Sequence, residues 1–330
     1  MPYVGDIMKR LIGIAMSLAV LGTAVWSFAP RPLPPFAATA LRPDGLQVNG
    51  LARAGERLVA VGERGRILFS DDQGRSWRPA SVDQPQGAAL TQVAFADSRL
   101  GMAVGHSGWI LRTEDGGAHW QQVAFDARSS DPLLGAWAQA SGSWFAVGSF
   151  GRFLVSRDQG RHWEEAPDKA MQDRHLNAIA GDAQGRLMLV GEAGLALRST
   201  DGGSHWELVK TPYEGSLYGV LPLRDGAWLA FGMRGNALRS EDFGATWQAA
   251  ETGLRTSFFG GIELADGRIV LAGQGGTLAL SADGGRHFAA LPAGSPQTLA
   301  ALAPAGKHAL ALGGNGGLAG VALPGAALAR

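Results

Sequence analysis

Beyond position 30 the apolar residues come in short runs, each cut by Gly, Asp or Pro, and no stretch sustains a 3.6-residue period over three turns. Residues 90–125 show the pattern clearly. Leu90 to Phe95 alternates polar and apolar side chains, and Gly101 to Val104 is a short run of small apolar residues. Trp109 to Thr113 and Trp120 to Phe125 follow, each bounded by Gly or Asp. A period of two puts one face of such a segment into a core, so this stretch predicts four short antiparallel strands. One apolar run is of a different kind: Leu11 to Phe28 is eighteen residues without a charge, with Lys9 and Arg10 before it and Pro30, Pro32, Pro34 and Pro35 after it. It predicts an export helix within residues 1–29. Cleaved signals carry about 7–15 apolar residues and spanning helices about 17–25, so the length favours an anchor. Gly22-Thr23-Ala24 and Ser27-Phe28-Ala29 offer small residues for cleavage, the second disfavoured by Pro30, and both signal peptide and signal anchor stay open. In either case the basic flank remains inside, and the chain from about residue 30 lies on the extracytoplasmic, periplasmic side.

The strand pattern repeats. An eight-residue box, Ser/Thr-x-Asp-x-Gly-x-x-Trp, returns six times with its Asp at positions 72, 115, 158, 201, 242 and 283, spaced by 43, 43, 43, 41 and 41 residues. The aromatic residues that close the boxes are Trp77, Trp120, Trp163, Trp206, Trp247 and, replacing Trp in the sixth copy, Phe288. An apolar residue followed by Gly-x-x-Gly recurs seven times, at Gly62, Gly105, Gly148, Gly191, Gly232, Gly273 and Gly313. A period near 40 with four strands per unit predicts an all-β, seven-bladed β-propeller of four-stranded antiparallel blades over residues 30–330. The seventh unit ends after three strands. Residues 36–41, with Phe36 where other blades place Trp, are expected to supply its outer strand and close the ring, which hides the open sheet edges.

Composition changes this picture little. The chain has 330 residues, 49 Gly, 10 Trp and no Cys. Much of the Gly and half of the Trp are repeat punctuation, and the absence of Cys excludes disulfides, thiolate metal sites and a cysteine nucleophile. Length alone suggests two domains, yet all-β chains of this size commonly form one. Lys+Arg 29 against Asp+Glu 29 gives a formal charge of zero, which argues against a nucleic-acid partner.

The boxes fall at the hairpin between the third and fourth strands. Asp72, Asp115, Asp158, Asp201, Asp242 and Asp283 are therefore expected to make turns, accepting hydrogen bonds from backbone N–H groups a few residues on, with the box aromatics packing between blades. His119, His162, His205 and His287 each precede a box aromatic on separate blades, so no shared metal site is expected. The opposite face carries the Gly-x-x-Gly tips and the connectors between blades, and its residues vary while their frame does not. Arg64, His106, Phe150 and Arg234 at tips, with Tyr213, Tyr218, Arg255, Phe258 and Phe259 in or beside connectors, are the candidate partner-binding residues. Arg and aromatic side chains are the usual interface anchors. No cofactor is expected, and the ring is expected to be monomeric.

Boxes also occur in sialidases, so a glycan-binding or sialidase-like glycoside hydrolase propeller is the alternative. A sialidase carries a Phe-Arg-Ile-Pro segment, absent here, three substrate-binding Arg and a Tyr nucleophile, for which only Tyr3, Tyr213 and Tyr218 exist. Glu63 and Glu192, on the tip face, belong to blades too far apart for the paired carboxylates of glycoside hydrolysis. The string from Val190 to Trp206, apolar-Gly-x-x-Gly-x-x-Leu-x-Ser-x-Asp-x-Gly-x-x-Trp, resembles the propeller family of photosystem II stability and assembly factors, over nearly all of residues 36–323. The resemblance implies a non-enzymatic protein on the far side of a membrane that holds assembly intermediates of membrane proteins, partly through an Arg-rich surface. Arg64, Arg66, Arg152, Arg234 and Arg255 are the residues here that fall on the corresponding face. The resemblance extends to bacteria without photosynthesis, where the implied partner is an integral membrane protein or its extracytoplasmic domain in another complex, such as a transporter.

Overall fold

A computed structural model describes residues 3–28, 45–139, 142–166, 168–171, 173–292 and 296–324, in two units, Met1–Leu41 and Arg42–Arg330. In the first unit, Tyr3–Phe28 is one continuous helix. Within it Ile7–Ser27 has a mean hydropathy of 1.5 and no buried side chain, so it is long and apolar enough to cross a membrane.

The second unit is a seven-bladed propeller. Its inner strands are Val48–Ala54, Leu90–Phe95, Leu133–Ala138, Leu176–Gly181, Leu217–Pro222, Phe258–Glu263 and Leu299–Pro304, which open blades 1 to 7. Each packs against the next, and Leu299–Pro304 packs against Val48–Ala54, so the described residues close a ring. Blade 4 shows the plan: Leu176–Gly181, Leu187–Gly191, Ala196–Ser199 and Glu207–Leu208 pair antiparallel in chain order. The second strand of blades 2 to 6 is buried along its whole length, for instance Leu187–Gly191 and Trp228–Gly232. Such strands read as unbroken apolar runs because neighbouring blades cover both faces. Trp109, Trp120, Trp144 and Trp228 are fully buried between blades.

Outer strands are shorter than the sequence pattern suggests, two residues each in Arg78–Pro79, Glu164–Glu165, Glu207–Leu208 and Gln248–Ala249. The box turn takes up the preceding residues. Blade 2 is broader, because the connector Ser81–Val82 adds a parallel fifth strand to His119–Ala124. Blade 7 has three strands among the described residues, Leu299–Pro304, Ala309–Gly314 and Gly317–Ala322. The expected closing strand, residues 36–41, lies outside the described residues.

Both repeated motifs have a mechanical reading. In the boxes, the Ser or Thr hydroxyl accepts the N–H of the box Gly and donates to the Asp, as in Ser156 to Gly160 (2.8 Å) and to Asp158 (2.8 Å). The Asp then accepts N–H groups ahead of it: Asp158 Oδ1 lies 3.1 Å from Arg161 N and 2.9 Å from His162 N. In four boxes the Trp indole N–H closes the turn onto the box Gly carbonyl, at 3.1 Å for Trp77, 2.9 Å for Trp120, 3.1 Å for Trp163 and 3.2 Å for Trp206. The box histidines bond carboxylates at the same rim. His162, His205 and His287 Nδ1 each lie 2.6 Å from Asp158, Asp201 and Asp283, and His119 Nε2 lies 3.0 Å from Asp83.

The first Gly of each Gly-x-x-Gly is required by close approach. A Cβ at Gly62, Gly148, Gly232 or Gly273 would lie 2.0, 2.3, 2.1 or 1.9 Å from the carbonyl oxygens of Gln47, Pro132, Ser216 and Ser257. Each of these oxygens accepts the next N–H of the tip, such as Glu63 N at 3.0 Å and Ser149 N at 3.1 Å. In blade 7 this geometry belongs to Gly314, not Gly313. Gly314 pairs with Leu299, and Asn315 N donates to Thr298 O at 3.1 Å. The run from Gly313 to Gly317 contains two overlapping Gly-x-x-Gly frames, and strand pairing selects the second.

Candidate functional site

The tips present side chains by a fixed backbone device. The residue before the second Gly adopts a left-handed conformation in blade after blade: Arg64 (φ 54), Ser107 (φ 58), Phe150 (φ 55), Ala193 (φ 50) and Arg234 (φ 56). Non-glycine residues pay a steric cost there, and a bulky one more so. The following Gly donates its N–H to the next connector, as Gly151 to Arg174 O (2.7 Å) and Gly194 to Gly215 O (2.9 Å), so tips and connectors form one surface.

Arg64, His106, Phe150, Arg234 and Arg255 are all exposed on that surface. Phe150 stands out. It is 64% exposed, and with Leu208 it makes up the exposed large apolar side chains among the described residues of the propeller. Its ring lies 5.0 Å from the His175 ring. Beside it is a pocket of about 370 Å³ that includes Asp126, Asp131, Arg152 and Glu165. Arg152 Nε is buried there without a hydrogen-bond partner, 3.7 Å from Glu165. Tyr213 is half-buried and donates its hydroxyl to Met233 O at 3.2 Å. Phe258 leaves the candidate surface, since it is 0% exposed. It is the first residue of its inner strand, the position that Leu90, Leu133, Leu176 and Leu217 fill, and packs with Phe231, Ile269 and Leu271 in the core.

Cations are treated differently on the two faces. On the box side Arg57 and Arg78 bond Asp71, Arg112 bonds Glu114, Arg186 bonds Asp182, and Arg239 bonds Asp225 and Glu241. On the tip side Arg64, Arg66, Arg174, Arg234 and Arg255 make no ion pair and no side-chain hydrogen bond among the described residues. Glu63 and Glu214 share this face, so the arginine field is local. Glu192 is engaged, accepting His175 N at 3.0 Å.

The sequence marks Tyr218 and Phe259 as partner-binding candidates, and the structure places both in the axial channel instead. In every inner strand the register slips between the first and third residues, leaving the second as a bulge. The seven bulge residues, Asn49, Thr91, Leu134, Asn177, Tyr218, Phe259 and Ala300, all line an axial cavity of about 460 Å³. Bulges re-aim side chains, and here they aim them at the axis or the next blade. Asn49 Nδ2 donates to Leu90 O (2.8 Å), Thr91 Oγ1 to Leu133 O (2.6 Å) and Asn177 Nδ2 to Leu217 O (2.8 Å), each latching one blade to its successor. Tyr218 and Phe259 instead meet ring to ring at 5.3 Å, tilted by 44°. Among the described residues neither Asp nor Glu lines this cavity. The signal was available: aligning the inner strands on the residue paired with each tip Gly brings the seven positions into one column.

No protein-family model matches the chain, and no curated protein matches it. Solved structures do. YCF48 bound to a D1 peptide is 19% identical with a TM-score of 0.69, over 89% of this chain and 99% of that one. YCF48 from Cyanidioschyzon merolae is 16% identical with a TM-score of 0.68, over 86% and 98%. A GH74 xyloglucanase from Xanthomonas campestris is 15% identical with a TM-score of 0.68, over 83% of this chain and 52% of the enzyme. The seven-bladed ring built from box and Gly-x-x-Gly repeats therefore has the fold found in YCF48 and in part of a glycoside hydrolase.

Proposed function

We propose that the chain is a non-enzymatic, exported scaffold. In this reading its helix directs it to, or holds it at, the cytoplasmic membrane. The monomeric propeller on the extracytoplasmic side binds an integral membrane protein or its extracytoplasmic domain and assists assembly or stability of that complex. The observation that carries the reading is the tip face, where five arginines without counter-ions share a surface with the strained, exposed Phe150. Strain at a bulky left-handed residue persists where the site uses it, and Arg with aromatic residues dominates interface energetics. YCF48 bound to a D1 peptide shows this fold binding a segment of another protein, and the family resemblance noted from the sequence points the same way.

A hydrolase is the weaker reading. Glycoside hydrolysis needs two carboxylates facing one sugar, and among the described residues the axial cavity is lined by none.

A photo-crosslinking residue at position 150 or 234, compared with position 161 on the box side, tests the proposal in the intact full-length chain. The expected outcome is one extracytoplasmic or membrane partner crosslinked from 150 and 234 and not from 161. Equal crosslinking from both faces, or none from the tip face, would overturn it. Turnover of fluorogenic glycosides by the purified chain would restore the enzyme reading.

A further inference from the structure

The geometry points to a second binding site, separate from the tip-face anchor, in which the axial cavity takes an uncharged, hydroxyl-rich ring such as the terminal unit of a glycan. At about 460 Å³ the cavity lies within the range of small-ligand sites, about 300–1,000 Å³. Its lining contains no charged side chain among the described residues. A carboxylate, phosphate or ammonium entering it would lose water without gaining a counter-charge, which disfavours charged ligands. What the cavity does offer is one apolar wall and several polar groups left over from structural duty.

The wall is the Tyr218–Phe259 pair, both half-exposed. Blades 5 and 6 place aromatic rings where blades 1, 2 and 4 place the latching Asn49, Thr91 and Asn177, so the cavity is aromatic on one side and polar on the other. Gly260 and Gly261, following Phe259 on the same wall, carry no side chain to crowd its ring.

The polar groups are unevenly used. The Tyr218 hydroxyl makes no hydrogen bond among the described residues. Gln92 spends its Oε1 on Val93 N at 2.9 Å and keeps its amide N–H groups. Asn177 donates across blades and keeps its side-chain carbonyl. A hydroxyl carried on the aromatic pair itself, with an amide donor and an amide acceptor on the same lining, matches the C–H faces and O–H edges of a sugar ring.

The test is calorimetric titration of the full-length chain, held in a detergent without a sugar headgroup, since a glycosidic detergent would itself compete. The probes are N-acetylglucosamine, cellobiose and maltose, with glucuronate as the charged control. Saturable binding of at least one neutral sugar, with a Kd on the order of 1 mM, is expected. It should weaken at least tenfold in Tyr218→Ala and in Phe259→Ala and a few-fold in Tyr218→Phe, which keeps the ring and loses the hydroxyl. No saturable heat from any neutral sugar, equal binding of glucuronate, or binding indifferent to both alanine changes would overturn the assignment. Phe259→Leu, which keeps apolar volume without an aromatic face, serves if an alanine variant fails to fold, and it too should bind at least tenfold more weakly. Partner crosslinking from position 150 is read separately, so failure here leaves the scaffold reading standing.

Discussion

At the scale of single residues, the box carboxylates tie stability to pH with a definite sign. The Thr246 hydroxyl and backbone N–H, with Ser240, hold Asp242 down at about 2. At Asp283 partial burial works upward, but the His287 backbone and ring and the Ser281 hydroxyl outweigh it, again giving about 2. Hydrogen bonds from Ser76, His162 and His205 depress Asp72, Asp158 and Asp201 likewise. A carboxyl whose folded pKa lies below its unfolded value of about 4 adds stability that is complete above about pH 4 and lost as pH falls towards 2. His119 and His287 move the other way, raised by Asp83 and Asp283. Their contribution is complete below an unfolded pKa of about 6.5 and lost as pH rises through the higher folded value. Melting temperature should therefore peak between about pH 4 and 6.5. Its alkaline decline should shrink in His287→Ala. A curve still rising at pH 8 would contradict this assignment. Phe150 makes a second prediction at this scale. Glycine accepts φ 55 without steric cost, so Phe150→Gly should melt no lower than the parent chain while losing partner crosslinking at the tip face. A large drop in melting temperature would show instead that the ring's contact with His175 holds the fold.

Among elements, the Gly-x-x-Gly hairpin is the unit whose geometry is least tolerant. Gly232→Ala would force a Cβ to within 2.1 Å of Ser216 O, a backbone atom tied into a hydrogen bond, and should cost about 1–3 kcal/mol, read by denaturant melts. Blade 7 tests the register directly. At Gly314 the obstacle is the Thr298 carbonyl at 2.0 Å, whereas at Gly313 it is the Val48 side chain at 2.5 Å, which can turn aside. Gly314→Ala should therefore destabilise more than Gly313→Ala. This pair also shows where the sequence stopped being legible. Blade number, the four-strand plan, box position and the two faces followed from spacing, because a 41–43-residue period leaves one architecture for four strands per unit; the fifth strand that Ser81–Val82 adds to blade 2 did not. The frame of the last tip did not, since a run of glycines satisfies the motif in two registers and only pairing with Leu299 decides between them. Phe258 was misplaced for a related reason. Consecutive Phe258 and Phe259 look equivalent in the sequence, yet the bulge sends the first into the core and the second to the channel. The exposure of Arg64, Phe150 and Arg234 followed from their place at the tips, in the left-handed position before the second Gly.

For the molecule as a whole, a formal charge of zero hides a division of labour that the totals cannot show. On the box side Arg57, Arg112 and Arg239 hold carboxylates, whereas on the tip side Arg64, Arg66, Arg174, Arg234 and Arg255 hold none among the described residues. Exposed ion pairs such as Arg78 with Asp71 contribute little each, so screening them should move the melting temperature only slightly. Unpaired cations act at a distance instead, steering an encounter over a screening length of about 30 Å at 0.01 M salt that contracts to about 8 Å at 0.15 M. Electrostatic steering raises association rates by about 10–1,000-fold. Once the partner is in hand, its association rate with the propeller should fall at least tenfold between these two salt concentrations while its dissociation rate changes little. Arg64→Glu, Arg234→Glu and Arg255→Glu together should flatten that dependence, and Phe150→Gly should raise the dissociation rate and leave the salt slope intact. The two variants separate the two tasks of one face: arginines bring the partner in, and the strained ring keeps it. An association rate indifferent to salt in the parent chain would assign both tasks to Phe150 and its pocket, and remove the arginines from the mechanism.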